Sequence, residues 1–133
     1  METVFKDLIR TKIEPTIHRF GFKLISEGRC VMEYSSNALV LRLAYDARER
    51  SSNFFVGTSN RNLVLFDDEI LSNVFGGVEK IDRVSLEEFV TNLNGFLENE
   101  GSTLMSGCGL EFERLLSFQE KRSEAYTALV QGK

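Results

Sequence analysis

The chain has 133 residues, of which 42% are hydrophobic and 27% charged, the balance of one globular domain with one core. Twenty acidic against sixteen basic residues leave a formal charge of -4, which disfavours nucleic-acid binding and suits a basic protein partner. The start METVFKDLIR has no apolar secretory core, and no run of about 18 apolar residues marks a membrane span, so a cytoplasmic location is expected.

The first segment has helical spacing. Phe5, Leu8, Ile9, Ile13, Ile17 and Phe20 fall on one face, and Asp7, Arg10, Thr11, Glu14 and His18 on the other. Pro15 removes a backbone donor and predicts a kink or a division. Gly21 follows the last apolar position, as a left-handed helix end requires. Strand patterns come next. FKLI leads into the turn SEG, and RCVMEY places Cys30, Met32 and Tyr34 on one side. ALVLRLAY alternates, with Leu39, Leu41, Leu43 and Tyr45 on one face. DARERSSN, residues 46–53, reads as a long polar connection, followed by short strands at FFVGT and NLVLF. Short strands joined by short turns predict an antiparallel meander, because a parallel crossover takes a dozen or more residues.

The period then becomes helical. Asp67 suits the cap of DEILSNVF, and Gly76 and Gly77 its end. Ser85 and Glu88 form a capping-box pattern, with Val84 and Phe89 at the staple positions. Leu86, Phe89, Val90, Leu93, Phe96 and Leu97 make the stripe of that helix, which stops near Gly101. A last helix after SGCG carries Phe112, Leu115, Leu116, Gln119, Tyr126 and Val130. The expected fold is α+β over residues 1–133 as a single domain: an N-terminal helix, an antiparallel meander of four or five strands, and C-terminal helices packed mainly on one face.

No catalytic set stands out. His18 lies on the polar face of its helix, away from the apolar stripe, as a solvated residue does. Cys30 and Cys108 lack metal-type spacing, and one histidine cannot complete a zinc set, so free thiols are expected. SGCGLE, residues 106–111, has a small-residue loop before a helix but no phosphate-loop Lys-Ser/Thr, and it reads as a turn. For Cys108 no partner base can be named. The acidic run of Asp67, Asp68 and Glu69 stands where a helix start favours negative charge. Arg42, Arg48, Arg50 and Arg61 are near the sheet and its loops, and nothing in their spacing makes them converge.

IEPTIHRFGFKLI, residues 13–25, followed by MEY resembles the opening of several families of small bacterial α+β domains, in which the first helix ends in a Gly-Phe-Lys-like step into a sheet. Some of these are similar to immunity proteins, which protect bacteria from polymorphic or contact-delivered toxins. The resemblance covers the first third of the chain and implies a stoichiometric protein binder with no catalytic residue, cofactor or metal. Its protein partner would be a basic toxin domain, met without nucleic acid or membrane. The expected contact residues are Asp46, Arg48, Glu49 and Arg50 in the polar connection, and Asp67, Asp68, Glu69, Glu87 and Glu88 at the acidic helix starts. The alternative is a small-molecule-binding or enzymatic domain with a pocket between sheet and helices, using Arg42 and Tyr45.

Overall fold

A computed structural model describes residues 2–59, 61–107 and 109–130, with residues 128–130 described by backbone only. The first helical layer consists of α1 (Glu2–Leu8), a π-helical segment (Ile9–Ile13) and α2 (Glu14–His18). Phe5, Ile9, Ile13 and Ile17 are fully buried, as their spacing predicts. Four such side chains contribute about 6–12 kcal/mol of gross burial at about 1.5–3 each. That outweighs the roughly 3 kcal/mol a proline costs inside a helix. The helix therefore continues past Pro15 by widening the preceding turn, and Pro15 falls at the start of α2. Gly21 follows, at φ 88°, and turns the chain so that Phe22 enters the core.

Five antiparallel strands come next: β1 (Lys23–Glu27), β2 (Val31–Ser35), β3 (Val40–Asp46), β4 (Ser51–Gly57) and β5 (Leu63–Leu65). Each pairs with its neighbour in sequence, in the spatial order β1-β2-β3-β4-β5. The meander expected from the turn spacing is the observed sheet. Registers Met32↔Leu43↔Phe54 and Tyr34↔Leu41↔Val56 carry the fully buried residues to one face. The other face holds Val31, Val40, Ala44 and Phe55, which stay half-exposed. One departure concerns 46–53. It is not a long connection: β3 runs to Asp46 and β4 starts at Ser51, leaving a tight turn of 47–50. Ser51, Ser52 and Asn53 pair with Asp46, Tyr45 and Ala44, so the ladder absorbs polar residues that sequence composition assigns to a loop.

The C-terminal part comprises α3 (Asp68–Phe75), α4 (Leu86–Glu98), the single turn α5 (Ser102–Met105) and α6 (Gly109–Val130). Asp67 Oδ1 accepts from the Ile70 amide at 2.8 Å and caps α3, which ends at Gly76 with φ 72°. At α4, Ser85 Oγ accepts from the Glu88 amide at 3.1 Å. No return bond from the Ser85 amide to the Glu88 carboxylate is present among the described residues, so half of the expected capping box forms. The expected α4 stripe is buried in the core, with Leu86 at its edge. Between α4 and α6, the turn α5 buries Leu104 and Met105; four residues are too few to reveal a period in sequence. The α6 stripe holds only in its first half. Phe112 and Leu115 are buried, whereas Leu116 is 45% and Tyr126 69% exposed. The second half of α6 extends beyond the hydrophobic core. The side chain of Val130 lies outside the described residues.

Candidate functional site

Part of the chain's polar residues meet at one end of the sheet. Asp46 closes the β3–β4 turn: its Oδ1 accepts from the amides of Arg48 at 2.9 Å and Glu49 at 3.1 Å. Arg50 then takes φ 54°, a left-handed conformation that a side-chain-bearing residue adopts only at a cost. Facing this turn are the start of α3 and the irregular segment before α4. Asp68 and Asp82 clamp these two together. Asp68 Oδ1 accepts from the amides of Ile81 at 2.6 Å and Asp82 at 3.1 Å, and Asp82 Oδ2 accepts from the Asp68 amide at 3.0 Å. Ile81 is 3% exposed and anchors the segment in the core. Arg83, beside the clamp, has φ 56°.

Turn and clamp enclose a cleft of about 760 Å³, walled by Glu49, Arg50, Ser52, Asp68, Asp82 and Arg83 among others. Three expected contact residues, Glu49, Arg50 and Asp68, thus share one feature although they come from two separate segments. Burial raises the Asp82 carboxyl above the usual aspartate range; the charges of Asp68 and Asp67 add to this, and the Asp68 amide and Arg83 oppose it. Ser52 Oγ is buried here without a hydrogen-bond partner among the described residues.

The remaining expected residues take other places. Asp46 and Arg48 stand exposed in the same turn, outside the walls of the cleft. Asp67 and Glu69 are tied to α6: Arg122 Nη1 lies 2.9 Å from Asp67 Oδ2 and 3.9 Å from Glu69 Oε1. Much of the negative charge at 67–69 is therefore engaged within the chain. Glu87 and Glu88 are exposed on the first turn of α4. The four arginines near the sheet do not converge. Arg42 donates to Glu33 Oε2 at 2.6 Å on the half-exposed sheet face and stands over the Phe55 ring at 5.9 Å. Tyr45 stacks on Phe5 on the helix side, with centroids 6.3 Å apart. Arg42 and Tyr45 alternate to opposite faces of β3, yet both border an open depression of about 640 Å³ beside Glu33, Asp46 and Phe55, so the pair expected to share a pocket does share one, at the sheet surface. Arg83, which helps to wall the cleft, was beyond sequence reasoning: IDRV carries no motif.

His18 is exposed, as expected, but it has a neighbour that its i−4 spacing could have flagged. Its Nε2 lies 3.9 Å from Glu14 Oε1. Glu14 Oε2 in turn accepts from the hydroxyl of Tyr34 at 2.6 Å. Tyr34 is fully buried, and burial, followed by the bond to Glu14, pushes its phenol far above the ordinary range. On the same helical layer Lys6 bridges Glu2 at 2.9 Å and Glu27 at 3.1 Å. The Lys6 bond holds the Glu27 carboxyl below its usual range. Cys30 is a free, half-buried thiol. Cys108 lies outside the described residues. Among the described residues no three His, Cys, Asp or Glu side chains cluster as metal ligands, and no helix is long and apolar enough to cross a membrane.

No family model matches the chain, and neither the curated proteins nor the solved structures searched contain a match to it.

Proposed function

We propose that this chain acts by binding another protein, as an immunity factor that neutralises a toxin domain. The observation that carries the reading is the convergence of Glu49 and Arg50 on the β3–β4 turn with Asp68 on α3 around one cleft. Exposed side chains on a turn braced by Asp46, set beside a clamped helix start, form a preorganised surface, and preorganisation lowers the entropic cost of association. Glu87 and Glu88 add exposed negative charge on the next helix, α4, and the net charge of -4 favours encounter with a basic partner. The basic toxin domain is proposed on these charges together with the resemblance at residues 13–34.

The test starts from native lysate. A retained protein is identified, purified and assayed for toxicity with and without this chain. Glu49→Lys, Glu87→Lys and Glu88→Lys are then compared with wild type in association kinetics at two salt concentrations. Slower association with a weaker salt dependence is expected, with unchanged dissociation. Capture of no partner, or a partner whose activity the chain leaves untouched, removes the immunity reading. Turnover of a small molecule by the purified chain replaces it with a ligand-pocket function.

A further inference from the structure

The cleft at the end of the sheet has a chemical bias of its own, independent of any protein partner. Among the described residues, only two non-glycine residues have positive φ, and both are arginines on its walls, Arg50 and Arg83. Left-handed backbone in a long side chain is a local cost that the rest of the fold sustains, and such costs collect at ligand sites. Neither guanidinium enters an ion pair among the described residues. The buried Ser52 hydroxyl on the same walls has no partner. A buried polar atom left unpaired costs free energy that a ligand atom can recover.

The cleft also contains carboxylates, and their orientation decides what it can accept. Asp68 Oδ1 accepts two backbone amides of the 78–84 segment, and Asp82 Oδ2 accepts the amide of Asp68. These oxygens are committed to their own backbone. Glu49 is exposed in the turn. Beside the exposed Glu49 carboxylate and the second oxygens of Asp68 and Asp82, the walls offer three donors to an anion: two planar guanidinium forks, suited to bidentate contact with an oxyanion, and one hydroxyl. Ile81 and Val84 add apolar wall, and the volume lies within the roughly 300–1,000 Å³ of small-molecule pockets.

We propose that this cleft binds a small ligand through an oxyanion, a phosphate or carboxylate group, held by Arg50 and Arg83 with the Ser52 hydroxyl. The test is an NMR titration of the amide resonances with inorganic phosphate and with citrate, at constant ionic strength. Shifts centred on Arg50, Ser52, Asn53 and Arg83 are expected. A response to phosphate alone marks a phosphate-type ligand, and a response to citrate alone a carboxylate-type one. Arg50→Gln and Arg83→Gln should each weaken the titration about tenfold or more, since a lost charged hydrogen bond is worth at least that. Arg50→Gly and Arg83→Gly separate the site from its backbone. Glycine relieves the left-handed turn, so melting temperature should hold or rise while binding is lost. Unchanged titration in the glycine variants means that the arginines serve the turn only and overturns the proposal. So does the absence of any shift, or a shift spread equally over Arg29, Arg48 and Arg61.

Discussion

Replacing Asp68 with alanine should destabilise the fold well beyond an ordinary surface substitution. Its Oδ1 accepts two backbone amides, from Ile81 at 2.6 Å and Asp82 at 3.1 Å. Ile81 is 3% exposed, so its amide lies beside a buried side chain, whereas Asp82 is exposed and its amide can be rehydrated. A bond to a charged acceptor is worth about 1.5–3 kcal/mol, and an orphaned buried donor costs about 1–3. Asp68→Ala is expected to lose about 2–4 kcal/mol. Asp68→Asn keeps a carbonyl oxygen at the same place and should recover at least half of that loss. Glu69→Lys is the control: its carboxylate, 55% exposed and 3.9 Å from Arg122, should matter by less than about 1 kcal/mol. Urea unfolding followed by circular dichroism measures all three, with the denaturant slope checked for constancy. A loss under about 0.5 kcal/mol for Asp68→Ala, the range of featureless surface changes, would refute the clamp. An asparagine variant as unstable as the alanine one would refute the acceptor argument. Charge reversal at Asp68 mixes folding with binding, so association tests belong to Glu49, Glu87 and Glu88.

Tyr34→Phe should cost about 1.5–3 kcal/mol in urea unfolding, because it removes a buried donor to a carboxylate. The folded chain holds the Tyr34 proton more tightly than the unfolded one, so this contribution is present below the ordinary phenol range and is lost as pH rises through and beyond it. Absorbance at 295 nm should show one tyrosine that ionises only on alkaline unfolding and is missing from Tyr34→Phe; smooth titration of every tyrosine in the folded chain would contradict it. For Glu27 the sign is opposite: its carboxyl is depressed when folded, so its contribution is present above the ordinary glutamate range and is lost as pH falls through and below it. Glu27→Gln should lose less stability than wild type between neutral pH and about pH 3, and equal losses would remove the Lys6 bridge as a cause. His18→Ala should change stability by less than about 0.5 kcal/mol and leave partner binding within tenfold, a span of about 1.4 kcal/mol; a larger loss with folding intact would give His18 a role its exposure does not suggest.

The layers of the fold were legible where one period runs undisturbed for three turns or one full strand. The stripe from Phe5 to Ile17, the alternation from Leu39 to Tyr45 and the run from Phe89 to Leu97 each specify one face, and each is buried except for Leu8 and Tyr45, which are partly buried against the core. Misreadings arose where composition and pairing disagree. Ser51, Ser52 and Asn53 look like loop but lie opposite β3, which supplies their hydrogen bonds and overrides weak strand propensity. Tyr126 carries the α6 stripe outward only on paper: it stands 69% exposed, past the part of α6 that Phe112 and Leu115 bury. The candidate site was half legible. The exposed acids and the turn could be picked out, but the cleft depends on Asp68 meeting Ile81 and Asp82 thirteen and fourteen residues away. Backbone conformation brings Arg83 beside them, and no side-chain pattern encodes it.

The neighbour-by-neighbour order of the sheet sets the way the molecule can assemble in time. Every strand finds its partner across a short turn, so closing each pair costs little loop entropy, and the sheet can zip from β1 to β5 as the chain emerges during synthesis. Its cover arrives in two instalments. The N-terminal helices are made before the sheet, but they pack against α4, where Thr16 hydrogen-bonds Asn94 at 2.5 Å and Glu98 at 3.2 Å. Until residue 98 is available, Phe54 and Val56 on β4 lack their α4 cover, while the N-terminal helices already reach Tyr34, Tyr45 and Glu27 at the other side of the sheet. Docking of α4 then completes the core, and chaperone demand should peak while β4 and β5 are complete and α4 is still inside the ribosome.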